Sequence, residues 1–196
     1  MTLPGKHSFI DLQDKKTLIR GDIRTGKTTL TASLLEEAVE LGLSGEITVV
    51  DMAPISEDIK GNIIGGRLSD ATEACKRVRY LAPQKVETPR LRAGSAKELM
   101  SMIQLNVKSI LPLLEEYMET PSSILFVNDI SIYFQSGSDY PITRIVDISD
   151  TFIANGYYGE HLSEDLGTGV SEMEKELMER LSSKMDGVIN LTTRIG

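Results

Sequence analysis

TLIRGDIRTGKTTL, residues 17–30, sets the reading of the whole chain. Within it GDIRTGKT, from Gly21 to Thr28, matches the spacing G-x-x-x-x-G-K-[ST] at every fixed position. That pattern gains meaning only if a strand precedes it and a helix follows. Both flanks comply. TLIRG is a short apolar run of β-compatible residues ending in glycine. TTLTASLLEEAVELGL sets Leu30, Leu34, Leu35, Ala38 and Leu41 or Leu43 at helical spacing. Gly42 and Gly45 punctuate the end of this helix.

Working outward, EITVVDMAP gives a second strand, with Val49 and Val50 before Asp51 and Pro54 closing it. Residues 69–81, SDATEACKRVRYL, read as a helix with Ser69 or Asp70 as its N-cap. The following stretch, with Pro83, Pro89 and Gly94, reads as irregular and makes 82–94 a candidate insertion. Ser95 opens a long helical pattern through AKELMSMIQLNVKSILPLLEEYMET, which Pro112 is expected to kink or interrupt. PSSILFVNDIS carries the strongest buried-strand signal, Ile124 to Val127, and ends in Asn128 and Asp129. In SDYPITRIVDISDTFIANGYYG, Ile145, Val146 and Ile148 suit either a strand or a short helix, while TFIAN suits a strand. SEMEKELMERLSSKM has Ser171 as N-cap and Glu174 three positions later, a capping-box helix, and DGVINL supplies the last strand.

Strands alternating with helices predict an α/β fold, a three-layer, mainly parallel sheet flanked by helices and joined by right-handed crossovers. Its site belongs at the carboxyl ends of the strands, where the segment from Gly21 to Thr28 falls. The expected organisation is one domain over residues 1–196, with a mobile, glycine- and tyrosine-bearing loop at 156–169. There is no internal repeat and no linker-like segment.

Composition narrows the classes. At 196 residues the chain buries about 70% of the surface its unfolded form exposes, so no metal or disulfide framework is needed. Cys75 is the single cysteine, no apolar leader opens the chain and no stretch approaches a membrane span, which makes a reducing, cytoplasmic setting the expectation. A net charge of -8 argues against an extended nucleic-acid surface. The local exception is 76–92, KRVRYLAPQKVETPRLR, a candidate contact for a small anionic substrate or an acidic protein partner. His7 and His161 stand apart from other metal-ligating residues. No pattern speaks to oligomeric state.

The loop has a definite chemistry. Glycines let the backbone curl close to phosphate oxygens, so that main-chain N–H groups from Gly21, Asp22, Ile23, Arg24, Thr25 and Gly26 onward, and the positive end of the next helix, meet negative charge. Lys27 would reach the terminal phosphates, the Thr28 hydroxyl would help hold magnesium, and Thr29 would assist at the neighbouring phosphate. Arg24 is a further candidate for a terminal phosphate or a partner.

On these residues the segment 17–51 resembles the phosphate-loop NTPase superfamily, and ILFVND resembles its second motif, a hydrophobic strand ending in an acid. The resemblance implies that Asp129 holds magnesium through a water, with Asn128 nearby. It covers the nucleotide core and says little about 75–120 or 135–185. ITVVDMAP is similar to the second strand of the branch containing signal-recognition, partitioning and metal-cofactor maturation NTPases. That branch carries a lysine after the first glycine, where this chain has Asp22. DGVINL and ILFVND are similar to RecA-like strands, but the glutamate such hydrolases use to position water adjoins neither Asp129 nor Asp51. Asp51 is the remaining candidate for orienting water or a second substrate.

The expected function is therefore a magnesium-dependent nucleotide-binding NTPase, with Lys27, Asp51 and Asp129 as catalytic candidates and Thr28 with Asp129 at the metal. ATP is favoured over GTP because no N-K-x-D motif follows the last strand. Two alternatives stand beside it. One is a small-molecule kinase or nucleotide-dependent transferase, suggested by the missing glutamate and the basic 76–92 segment. The other is a nucleotide-gated binding module with negligible turnover, suggested by the glycine-rich loops.

Overall fold

Apolar side chains alternate across both faces of the central strands, so each face needs its own helical cover. A computed structural model describes residues 7–59 and 62–192 and shows how that demand is met. Residues 1–6 and 193–196, at the ends read for a leader and for a base-reading motif, lie outside the described residues.

The chain begins with a short helix, α1 (Phe9–Leu12), then β1 (Lys16–Gly21), α2 (Lys27–Glu40) and β2 (Ile47–Asp51). A small antiparallel ribbon follows, β3 (Glu57–Ile59) with β4 (Asn62–Ile64), and then α3 (Leu68–Ala71), β5 (Arg79–Leu81) and α4 (Pro89–Arg92). The second half runs α5 (Ala96–Glu119), β6 (Ile124–Asn128), α6 (Ser131–Phe134), α7 (Tyr140–Ile148), β7 (Thr151–Tyr157), α8 (Val170–Ser182) and β8 (Gly187–Leu191).

Six strands form one all-parallel sheet in the order β5-β2-β6-β7-β1-β8. The architecture is the three-layer α/β sandwich expected. On one face Ile19, Val49, Phe126 and Ile153 pack with Phe9 of α1 and Leu34, Leu35 and Ala38 of α2. On the other, Leu18, Val50, Leu125, Val127 and Phe152 meet Ile110 and Leu114 of α5, Ile142 and Ile145 of α7, and Leu177 and Met178 of α8. Each fully buried Leu, Ile or Phe contributes about 1.5–3 kcal/mol, which is why the period-two alternation fixes the layers more firmly than local propensity does.

Local readings fare unevenly. The expected helix over 69–81 is instead α3 with Arg67 as its N-cap, a 3-10 turn at Glu73–Arg77, and the edge strand β5. Tertiary pairing decides the last of these, because Arg79, Tyr80 and Leu81 register with Thr48, Val49 and Val50. Pro112 does not interrupt α5, which runs on through it. The proline is exposed, so its missing N–H and its ring face the solvent side of the helix. Ser95 caps α5 as expected, its hydroxyl accepting from Glu98 N at 3.2 Å. The ambiguous 140–148 stretch is helix, and TFIANGY is strand.

The capping box at Ser171 does not form. Gly169 is the N-cap of α8, the Ser171 amide donates to Asp165 Oδ2 and its hydroxyl to Leu162 O, and Glu174 turns inward. Within 82–94 only α4 is regular. Residues 156 and 157 of the expected mobile loop belong to buried β7. Among the described residues no helix is long and apolar enough to cross a membrane.

Candidate functional site

Because the strands are parallel, the ends of β1, β2, β6 and β7 share one edge, with Gly21 in register with Tyr157 and Asp51 with Asn128. A cleft of about 470 Å3 opens there. The glycine-lysine loop from Ile23 to Thr29 forms one wall, Asp129 and Asn155 the floor, and Gly65, Gly66 and Leu162 the opposite rim.

The loop is tightly built. Gly21 has no room for a side chain, since a Cβ would run into the Leu191 carbonyl oxygen of β8. Thr25 Oγ1 donates to Asp22 O at 2.9 Å, and Arg24 takes a left-handed φ of 58°. Gly26 then starts α2, and none of the described side chains caps that helix. Its first-turn amides lack intrahelical acceptors and give the cleft wall a positive end. Lys27 Nζ curls back to Asp22 O at 2.6 Å. Burial lowers the Lys27 pKa, against the pull of Asp129 and Asp22.

Asp22 serves a different purpose from that of a cradle amide alone. Its carboxylate accepts from Ile23 N at 2.7 Å and Glu160 N at 3.1 Å, and meets His161 Nδ1 at 2.7 Å. Burial would raise its pKa, but the His161 contact and the two amides outweigh that and hold it below the usual carboxylate range. Tyr158 N adds a bond to Gly21 O at 3.0 Å. A Cβ on Gly159 would collide with the Asp22 side chain, so this segment seats against the loop only as glycine. His161, set aside in the sequence as isolated, thus meets the one acidic residue of the loop.

Asp129 follows β6 with φ at 57°, its amide donating to Asn155 Oδ1 at 3.1 Å and its carboxylate accepting from Ser131 Oγ at 2.7 Å. Burial raises its pKa, opposed by Ser131, Lys27 and Arg90. A shielded carboxylate and a shielded ammonium therefore line one cleft with the Thr28 hydroxyl. Hard oxygen donors of that kind suit magnesium.

Asp51 does not line the cleft. It is fully buried, with Ala53 N at 3.1 Å and Asn128 Nδ2 at 2.8 Å on Oδ1, and Leu68 N and the Tyr80 hydroxyl, each at 2.7 Å, on Oδ2. Four donors from four segments occupy both oxygens, which leaves it a clamp between β2 and the segments that rim the cleft. Asn128 links this clamp to the floor, because its Oδ1 accepts from Asn155 Nδ2 at 2.8 Å. Asn155 Nδ2 also reaches Thr31 Oγ1 of α2 at 2.9 Å.

Asn155 was missed as a site residue, and Tyr157, read as part of a mobile loop, lines the cleft from the end of β7. The available signal was an amide in the otherwise apolar strand FIAN, just before a glycine. The basic segment 76–92 spreads out: Lys76 pairs with Glu73, Arg79 with Glu116 and Lys85 with Glu87 on the outside, while Arg90 turns inward to Glu174. A scan against protein-family models finds no matching family, and a search of curated proteins finds no matching relative.

Proposed function

We propose that the chain is a magnesium-dependent, ATP-directed NTPase of the phosphate-loop superfamily. The observation that carries this reading is the meeting, in one cleft, of the uncapped N-terminus of α2, the Lys27 ammonium, the Thr28 hydroxyl and the Asp129 carboxylate. The cleft's volume of about 470 Å3 falls in the range of small-ligand sites. The parallel α/β fold is compatible with such a domain.

In this reading the amides from Ile23 to Thr28 bind the phosphates, and Lys27 exchanges its bond to Asp22 O for one to a terminal phosphate oxygen. Thr28 and Asp129 would hold magnesium, which when bound neutralises charge on the transferring group. The fit is chemical: both groups offer hard oxygens, and a nearby cation would relieve the burial that raises the Asp129 pKa. An anion likewise offsets the burial that lowers the Lys27 pKa. Asp51 acts by fixing Asn128, Ala53 and Leu68 rather than by touching a reacting atom.

A transferase is the second reading. It is favoured by the absence of a glutamate among the described residues that line the cleft and by a further cavity beside Asp129. One experiment addresses both. Native protein and Lys27→Ala are incubated with ATP, magnesium and a metabolite pool, and nucleotide products and ATP affinity are followed. Native protein should bind ATP and consume it, with at least about a hundredfold loss in Lys27→Ala, the size expected when a preorganised charge contact is removed. No ATP binding by folded native protein defeats the proposal. Product that appears only with an acceptor selects the transferase.

A further inference from the structure

A cavity of about 60 Å3 lies beyond Asp129, between α4, α6 and the end of β7. It shares Asp129, Gly65, Tyr157 and Leu162 with the larger cleft, so the two spaces adjoin. Leu91 and Ile132 give it apolar walls, yet its polar lining is unusual. Among the described residues three buried side-chain oxygens meet no hydrogen-bond partner, and two of them, Thr88 Oγ1 and Gln135 Oε1, belong to residues lining this one cavity. Gln135 is 2% exposed. Thr88 stands at the N-cap position of α4 but its hydroxyl caps nothing.

The Gln135 amide has a fixed direction. Arg90 Nη2 donates to both Glu174 oxygens at 3.0 Å, and the pair is almost wholly buried. Gln135 lies beside this pair, and its side chain helps to lower the Glu174 pKa against the effect of burial. That effect is the one an amide N–H has on a carboxylate, so the Gln135 nitrogen faces Glu174 and its oxygen is turned away from it. Arg90 is itself held by Leu162 O at 2.9 Å and lies over the Tyr157 ring. A buried acceptor left without a donor destabilises the fold, and it is tolerated where a ligand completes it.

We propose that this cavity binds the attacking hydroxyl of the reaction, with Gln135 Oε1 accepting its hydrogen bond and Thr88 Oγ1 steadying its oxygen. The inference rests on the nucleotide reading above and deepens it by assigning the second-substrate site. Room for a few water-sized groups, and no unpaired cation among the described residues of the lining, select a neutral O–H group, either water or the hydroxymethyl end of a small alcohol. In the transfer, the hydroxyl oxygen forms a new bond to the terminal phosphorus. The bond from phosphorus to the bridging oxygen breaks, the nucleoside diphosphate leaves with that electron pair, and the hydroxyl proton passes to a phosphoryl oxygen. Gln135 is a residue that touches the nucleophile and orients it. Arg90 and Glu174 are positioning residues that act through it.

The test compares native protein with Gln135→Leu and Thr88→Val, which keep volume and remove the polar atoms. ATP affinity is measured by calorimetry, and product formation is followed with magnesium in water alone and with glycerol or ethylene glycol added. Both variants should hold ATP within about twofold of native protein and form product at least about tenfold more slowly, as expected when a nucleophile loses its orientation. Inorganic phosphate without added alcohol identifies water as the occupant, and a phosphorylated alcohol identifies transfer. A crystal structure at high resolution should show an ordered oxygen bonded to Gln135 Oε1. Native turnover rates in both variants, native protein that binds ATP but yields no product in either arm, or a dry cavity each overturn the inference alone. Native protein that binds no ATP overturns the nucleotide reading first.

Discussion

At the scale of single residues, the two acids closing apolar strands look alike in sequence and differ in environment. Asp51 and Asp129 each end a run of buried β-residues, yet Asp51 has four donors from within the chain and Asp129 keeps an opening on the cleft. Burial raises the pKa of both. Replacing Asp51 by Ala strands the Leu68 and Ala53 amides and leaves the Tyr80 hydroxyl only Ser69 Oγ, and should lower unfolding free energy by about 3 kcal/mol. Urea titration at neutral pH checks this; a change within experimental error would show that those donors find water. The glycine-lysine loop was legible because its chemistry is contiguous, eight residues whose spacing alone sets backbone geometry. Asn155 was not, because strand pairing brings it to the site from a distant segment.

At the scale of elements, the amphipathic and strongly apolar segments were readable and the short ones were not. Helices α2 and α5 and strands β2, β6 and β8 follow from periodicity, whereas β5 is three residues whose strand character comes from lying beside β2. The inward turn of Glu174 was likewise hidden. A serine with a glutamate three residues on spells a cap, but Arg90 lies more than eighty positions upstream and draws that glutamate into the core. Pro112 gives the clearest element-level forecast. Being exposed, it packs against little, while its missing N–H leaves the Lys108 carbonyl without a helical donor. Pro112→Ala regains most of a penalty of about 3 kcal/mol and gives up about 1 kcal/mol of unfolded-state restriction, so the net effect should be stabilising by about 1–2 kcal/mol. Thermal unfolding should show a higher Tm, and a lower one would mean that the proline's restriction of the unfolded chain outweighs the recovered helical bond.

At the scale of the whole molecule, the buried pair of Arg90 and Glu174 ties α4 to α8 and couples stability to pH. Burial outweighs the guanidinium and pushes the Glu174 carboxyl up to about 7, from an ordinary 4.5. Between those values the folded chain retains a proton that the unfolded chain has released, so stability falls as pH rises through the window and levels off above it. The slope from this group reaches about 1.4 kcal/mol per pH unit. Compared with Glu174→Gln, native protein should therefore lose unfolding free energy between pH 5 and pH 8, read from urea midpoints. Parallel pH profiles for the two proteins would exclude the linkage. A separate outcome follows from the position of β1. Gly21 is bounded by Tyr157 on one side and Leu191 on the other, both synthesised well after it. A ribosome thus releases the glycine-lysine loop long before the two strands that flank β1 exist, and the nascent loop lacks its bounding backbone until both have been paired.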